Sequence, residues 1–302
     1  MSNAVLVVAR QELRAARTNR LAMLLLGIFI GMVLVSGFIG WATHRTVMDV
    51  YNEAVREGAT TAPNPFSYQP PLDLIKNTVI YVILIGALSA ILLGVQSSLG
   101  DRKAGVVDML FSRPLTTRQY VVGKLLGIQC LTGLILVAAG FISWVAVFLI
   151  RSQVLSVADT SSLAGFFLLS WLFLLPFTAL GFIFGANSRR ETTALLIPIL
   201  VWVLLAFVVP QLGTAEHPVS LLNPVSAAPV SQGPFFTFNR SVLQPISVTD
   251  HFKHASEGLL HFGETDSSHW SDWLSLGLIA AISCFAAALF IKRESMRKQL
   301  YE

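Results

Sequence analysis

Between Leu21 and Trp41 the chain carries no charged residue, and this run follows four arginines, Arg10, Arg14, Arg17 and Arg20. As a helix, a run of that length crosses the roughly 30 Å hydrocarbon core of a bilayer. Five more runs follow: Val79–Leu99, Leu125–Ile150, Leu163–Ala186, Thr192–Leu212 and Trp273–Ile291. None of the six contains Asp, Glu, Lys, Arg or His. Charged residues make up only 13% of the chain, against about 25% in a soluble domain. The expectation is an all-α membrane protein with six transmembrane helices.

The loops set the orientation. Of 21 Lys and Arg, 15 fall in residues 1–20, 100–124, 187–191 and 292–302, and 6 in residues 42–78, 151–162 and 213–272. The acids run the other way, 6 against 11. By the positive-inside rule both termini are expected to be cytoplasmic. Residues 42–78 and 213–272 are then extracytoplasmic, and every histidine lies on that side. The first run is longer than the ~7–15-residue apolar core of a secretory signal. No small-x-small cleavage site follows it, so it reads as a retained span.

Two segments on the basic side carry information. In residues 1–20, Arg10, Arg14 and Arg17 recur at i, i+4 and i+7 and share one helical face. Such a helix suits the headgroup region, and ordinary topogenic charge is the simpler reading of the same residues. In the loop 101–120, Val107, Leu110 and Phe111 have helical spacing. Pro114 breaks that helix and disfavours helical backbone at Arg113. Thr116 or Thr117 is placed to cap a new helix into the third span. A short amphipathic helix followed by a rigid break is a handle for a soluble partner.

Here the chain resembles the ABC-2 type permeases. The resemblance rests on Asp101, Gly105, Asp108-Met-Leu110-Phe-Ser112-Arg-Pro114, Arg118 and Gly123-Lys124 in the loop, and on Ala9-Arg10-Gln11-Glu12-Leu13-Arg14 before the first span. Asp101 stands where the family more often has Glu, and Val106 where it has Thr. The resemblance implies one transmembrane domain over residues 1–302, with residues 1–20 as an elbow helix bearing Arg10, Glu12, Arg14 and Arg17. It implies a coupling helix in residues 101–120, with Asp101, Gly105, Asp108, Leu110, Arg113, Pro114 and Arg118 as coupling residues. It also implies two cytoplasmic ATPase subunits that bind ATP and Mg, a second permease copy in a homodimer, a bacterial plasma-membrane setting, and export. Lipid surrounds such a protein, and no nucleic-acid partner is expected.

Two absences agree with a divided machine. The sequence has no G-x-x-x-x-G-K-[ST] to cradle phosphates, so no cofactor is expected in this chain. The spans hold no ionisable residue, which proton- and ion-driven carriers generally use. Energy is expected to come from another subunit, and no catalytic residue is assigned. An integral-membrane enzyme would need a nucleophile paired with a base, and none is framed here.

The outer stretch Asp250–Glu264 is amphipathic. Phe252, Ala255, Leu259 and Phe262 share one face, and His254, Glu257, His261 and Glu264 the opposite one. The plain reading is a helix packed on the outer leaflet or in its own subdomain, with a solvated polar face. The sharper reading is a metal site at His254, Glu257 and His261. It connects with an alternative function: a membrane anchor or assembly factor serving an extracytoplasmic partner, as in the permeases of copper-enzyme maturation that the resemblance also covers.

The remaining features read as architecture. Gly27-x-x-x-Gly31 and Gly181-x-x-x-Gly185 let helices approach closely, within the subunit or at a dimer seam. Pro176, Pro198 and Pro210 are expected to kink spans four and five. Gln96, Ser97, Ser98, Gln129 and Thr132 either bond between helices or line a route. Cys130 and Cys284 sit in apolar runs and read as packing residues.

Overall fold

Thr116 and Ser156 each start a long helix in the same way. The Thr116 hydroxyl accepts from the Gln119 amide while the Gln119 side chain accepts from the Thr116 amide, a capping box; Ser156 and Asp159 form another. The computed structural model describes residues 2–105, 107, 109, 112, 115–214, 233–262, 270–292, 294 and 296. Among these residues all regular structure is helical.

The helices are α1 (Ser2–Thr18), α2 (Arg20–Arg56), α3 (Thr78–Lys103), α4 (Thr117–Arg151), α5 (Val157–Asn187), α6 (Glu191–Leu212), α7 (Pro234–Leu243), α8 (Val248–Leu260) and α9 (Trp270–Phe290). Six of them, α2 to α6 and α9, are long and apolar enough to cross a membrane, and they coincide with the six expected spans. Val8, Val107, Tyr120 and Met296 are buried in one apolar cluster, and the end of the bundle that holds it is here termed the basic end.

The first span runs further than its apolar run. α2 continues past Trp41 to Arg56, so the first part of the expected outer segment extends that span. Residues 42–56 contain no Gly or Pro, and Arg45 and Asp49 approach at i, i+4. Gly58 then ends the helix at φ 66°. Its amide bonds Val55 O, and the Ala59 amide bonds Ala54 O at 2.8 Å, a Schellman ending that a glycine accommodates without strain.

α5 is the central helix, packed on α3, α4, α6, α8 and α9. It meets α3 backbone to backbone. A Cβ at Gly181 would lie 2.2 Å from Ile91 O, and one at Gly94 would lie 2.3 Å from Thr178 O. Gly181-x-x-x-Gly185 therefore packs within the subunit, whereas a Cβ on Gly27 or Gly31 would meet nothing within 4 Å. α5 and α6 continue through Pro176 and Pro198.

Two widened π turns, Val82–Gly86 in α3 and Leu204–Val208 in α6, release backbone carbonyls from the regular ladder. Side chains from elsewhere bond carbonyls inside both turns. Trp202 Nε1 donates to Ile83 O at 3.2 Å, and Thr249 Oγ1 to Leu205 O at 3.2 Å.

The far end is closed by protein. Turns at Pro65–Ser67 and Pro71–Ile75 bury Phe66, Leu72, Leu74 and Ile75, and Arg151 donates to the carbonyls of Phe66 and Gln69. α8 buries the expected face, but not on a leaflet or in a separate subdomain. Phe252 is fully buried and stacks on Phe173 of α5, ring centroids 4.4 Å apart. Two phenylalanines two turns apart on α5, Phe166 and Phe173, make an aromatic seat that draws α8 into the bundle.

Candidate coupling site

At the basic end, helix α1 lies along the start of α4, and small residues decide how close it comes. Gly123 and Gly127 sit one turn apart on α4. A Cβ at Gly123 would lie 2.7 Å from the Val8 side chain, and one at Gly127 would lie 2.6 Å from Glu12 Cβ. Val8 and Ala9 are buried against this glycine groove, while Arg10 and Arg14 are exposed on another face. Of Arg17 only the backbone is described.

The close approach brings charges together. Lys124 is 3% exposed, and its Nζ lies 2.5 Å from Glu12 Oε2 and 2.8 Å from Asp101 Oδ2. Tyr120 Oη donates to the same Asp101 oxygen at 2.6 Å. Glu12 comes from α1, Asp101 from the end of α3, and Lys124 and Tyr120 from α4. The cluster therefore ties three elements at the root of the 101–120 loop. One ammonium between two carboxylates keeps the buried charges paired, without which desolvation would be prohibitive.

A neighbouring tie reaches α5. Arg102 is 9% exposed, and its Nη1 donates to Gly185 O at 2.8 Å and Ser188 O at 2.7 Å. It thus satisfies carbonyls that the end of a helix leaves without partners. Lys103 Nζ lies 2.7 Å from Glu191 Oε1 at the start of α6. Consecutive residues at the end of α3 thus grip α4, α5 and α6.

The sequence-predicted coupling residues divide into three groups. Asp101 points inward and is taken up by Lys124 and Tyr120, rather than presented at the surface. Gly105, at φ 65°, makes the turn out of α3, and Arg118 is exposed. Asp108, Leu110, Arg113 and Pro114 lie outside the described residues. Between them Val107 is buried in the apolar cluster that also holds Val8, Tyr120 and Val121, while Met109 is 70% exposed. The loop thus has an anchored residue and an outward one.

Lys124, Tyr120 and Arg102 were not expected as site residues. The available signal was a lysine one turn after a tyrosine, flanked by two glycines at i−1 and i+3, where an apolar helix begins.

At the far end, His254, Glu257 and His261 do not assemble a site. His261 caps α8 in a left-handed conformation, φ 56°, and is exposed. Among the described residues no group of three His, Cys, Asp or Glu side chains is placed to hold a metal. The histidine with a built environment is His251. Its Nδ1 lies 2.7 Å from Asp272 Oδ1 and its Nε2 3.2 Å from Pro245 O, so both nitrogens face acceptors. Beside it Glu257 is pushed up to about 7, first by burial and then by the charge of Asp272, with Lys253 opposing.

Residues 6–296 match the family model of the ABC-2 family transporter proteins. No curated protein matches the chain.

Proposed function

The chain belongs to the ABC-2 transporter family, and from that premise we propose that it is the permease subunit of an ATP-driven exporter, powered by separate ATPase subunits. Two such subunits, carrying ATP and Mg, bind the basic end of a permease homodimer. That end faces the cytoplasm of a bacterial cell, as the Lys and Arg asymmetry of the loops supports. The chain supplies the path and the coupling surface, and the chemistry of ATP belongs to the partner.

The observation that carries this reading is the buried Glu12–Lys124–Asp101 cluster. A coupling element must deliver a push to several membrane helices at once. The segment 101–120 begins in the last turn of α3 at Asp101 and runs into α4, which carries Tyr120 and Lys124, and α1 is fastened to the same lysine. Arg102 and Lys103 extend the grip to α5 and α6. A displacement of the loop is then shared by α1 and four spans, without relying on a flexible hinge between them. The exposed Arg10 and Arg14 leave α1 free to lie among anionic headgroups as an elbow.

The test is purification of the tagged chain from native membranes with whatever accompanies it, followed by ATPase assay. A P-loop ATPase should co-purify, and Leu110→Glu should abolish coupled hydrolysis while the membrane part keeps its melting temperature. Coupling that survives this substitution would count against the assignment. A preparation holding only an extracytoplasmic protein would favour the assembly-factor reading.

A further inference from the structure

Between α4 and α5, in the half of the spans away from Lys124, lies a cavity of about 560 Å³. Apart from Thr160 and the indole nitrogens of Trp144 and Trp171, its lining side chains are apolar. On α4 it is lined by glycine, and rings of α5 lie against those glycines. A Cβ at Gly133 would lie 3.3 Å from Trp171 Nε1, and one at Gly140 would lie 3.1 Å from Phe167 Cδ2. The rings are held in place, so the space beside them stays open. Trp171 Nε1 donates to Gln129 O at 2.9 Å, Phe167 stands edge-on to Phe166 with centroids 5.1 Å apart, and Trp144 stacks on Phe148 along its own helix. Swinging any of them into the cavity would break that contact.

The depth of the cavity is that of one leaflet. Gly133 to Trp144 and Thr160 to Trp171 are each an advance of eleven residues, along helices that run in opposite directions. At the rise of an α-helix this is about 16 Å, about half of the hydrocarbon core. Gly133 and Trp171 mark the deep end, near the middle of their spans. Trp144 and Thr160 mark the shallow end, where a tryptophan and the hydroxyls at the start of α5 suit the headgroup boundary. The cavity opens sideways. Val137, Phe141 and Leu168 at its mouth are exposed and continue the apolar surface that the spans present to hydrocarbon. Water has too few polar partners to settle in such a space. What fits it is a single apolar chain as long as a leaflet is thick, with its polar end at Thr160.

We propose that this cavity seats one acyl chain of a phospholipid from the leaflet at the far end, with the ester end beside Thr160 and Trp144 and the tail against Gly133 and Trp171. The proposal stands on the cavity and the six spans, and holds whether or not the chain works with an ATPase.

The test uses the full chain in phosphatidylcholine nanodiscs doped with a phosphatidylcholine that carries a diazirine near the tail of one acyl chain. After irradiation, adducts are mapped by peptide mass spectrometry. They are expected to be denser on Gly133, Gly140 and Trp171 than on Leu200, an exposed residue in the middle of α6. Ala164 is exposed within the cavity, so Ala164→Trp fills it without crowding the core. That variant should lose the cavity adducts and keep those on Leu200. Melting temperatures are taken in parallel, and if Ala164→Trp melts early, Val137→Trp, which closes the mouth from an exposed position, decides in its place. Equal adduct density on the cavity and on Leu200, or cavity adducts that survive in a variant melting like the parent, would overturn the proposal. So would a Val137→Cys variant that forms a disulfide-linked dimer in native membranes, because a second copy would then cover the mouth.

Discussion

Lys124 and Glu12 are separated by 112 residues in sequence, yet their charged atoms lie 2.5 Å apart in a place almost without solvent. The contact exists because Gly123 and Gly127 let α1 lie close enough for a short glutamate to reach a lysine on the facing helix. It fastens the Val8, Ala9 and Glu12 face of α1 to the bundle while Arg10 and Arg14 stay exposed, and with Asp101 it ties α1, α3 and α4 together at the root of the 101–120 loop.

Removing the ammonium should therefore do more damage than removing the whole cluster. Lys124→Met leaves two carboxylates facing each other without a counter-charge, and breaking a buried pair this way costs about 3–5 kcal/mol. The triple variant Lys124→Met, Glu12→Gln, Asp101→Asn discards the charges together and should recover a large part of that loss. Thermal unfolding in detergent reads both. A triple variant less stable than the single one would show that the cluster is not organised around charge pairing.

The two glycine pairs should separate cleanly. Gly181→Ala drives a methyl to 2.2 Å from a backbone oxygen that no side-chain rotation can move, so α3 and α5 must part. Overpacking of that kind costs typically about 1–3 kcal/mol. Gly27→Ala meets nothing within 4 Å and should leave the melting temperature of the isolated subunit unchanged or slightly raised. If Gly27→Ala instead changes elution of the assembled protein, the α2 face is a seam between copies.

Arg102 should resist conservative replacement. One of its terminal nitrogens serves two carbonyls at the end of α5, and the planar head fixes that geometry. Arg102→Lys should lose part of the stability and Arg102→Ala more, by about 1–3 kcal/mol for buried acceptors left unmade. Hydrogen exchange should rise first near Gly185 and Ser188. Exchange that rises uniformly would mean that Arg102 acts on the whole bundle and not on this helix end.

The spans were legible because hydrophobicity is written residue by residue and needs no tertiary knowledge. So was a threonine cap at Thr116 or Thr117, a local signal, of which the structure uses Thr116. The end of the first span was not, because Arg45 and Asp49 end the apolar run while their backbone continues as helix to Arg56. The face of α8 was readable from its period, but its destination was not: Phe252 is seated by phenylalanines some eighty residues away, a fact of packing. The site was half visible. Asp101 and Gly123-Lys124 stand out in the sequence, but that Asp101 turns inward to Lys124 depends on where α1 lies. The outer histidines misled for the opposite reason, since spacing on one helix says nothing about whether ligands converge.

Glu257 gives the outer end a pH dependence with a definite sign. Its carboxyl is pushed up from 4.5 to about 7, chiefly by burial. Between these values the folded chain holds a proton that the unfolded chain has released. Stability therefore falls as pH rises through that window and levels off above it. Lys253 opposes the shift and Asp272 adds to it, so the charge on the start of α9 takes part. Glu257→Gln keeps the shape and removes the titration, and should flatten the slope between about pH 4.5 and pH 7. Lys253→Met should extend the upper edge of this window, because it deletes the charge that favours the carboxylate in the folded chain. Melting curves recorded across that range for the three proteins decide the matter: an unchanged slope in Glu257→Gln would assign the pH response to another group, and an increase of stability with pH in the parent would contradict the burial of this carboxyl.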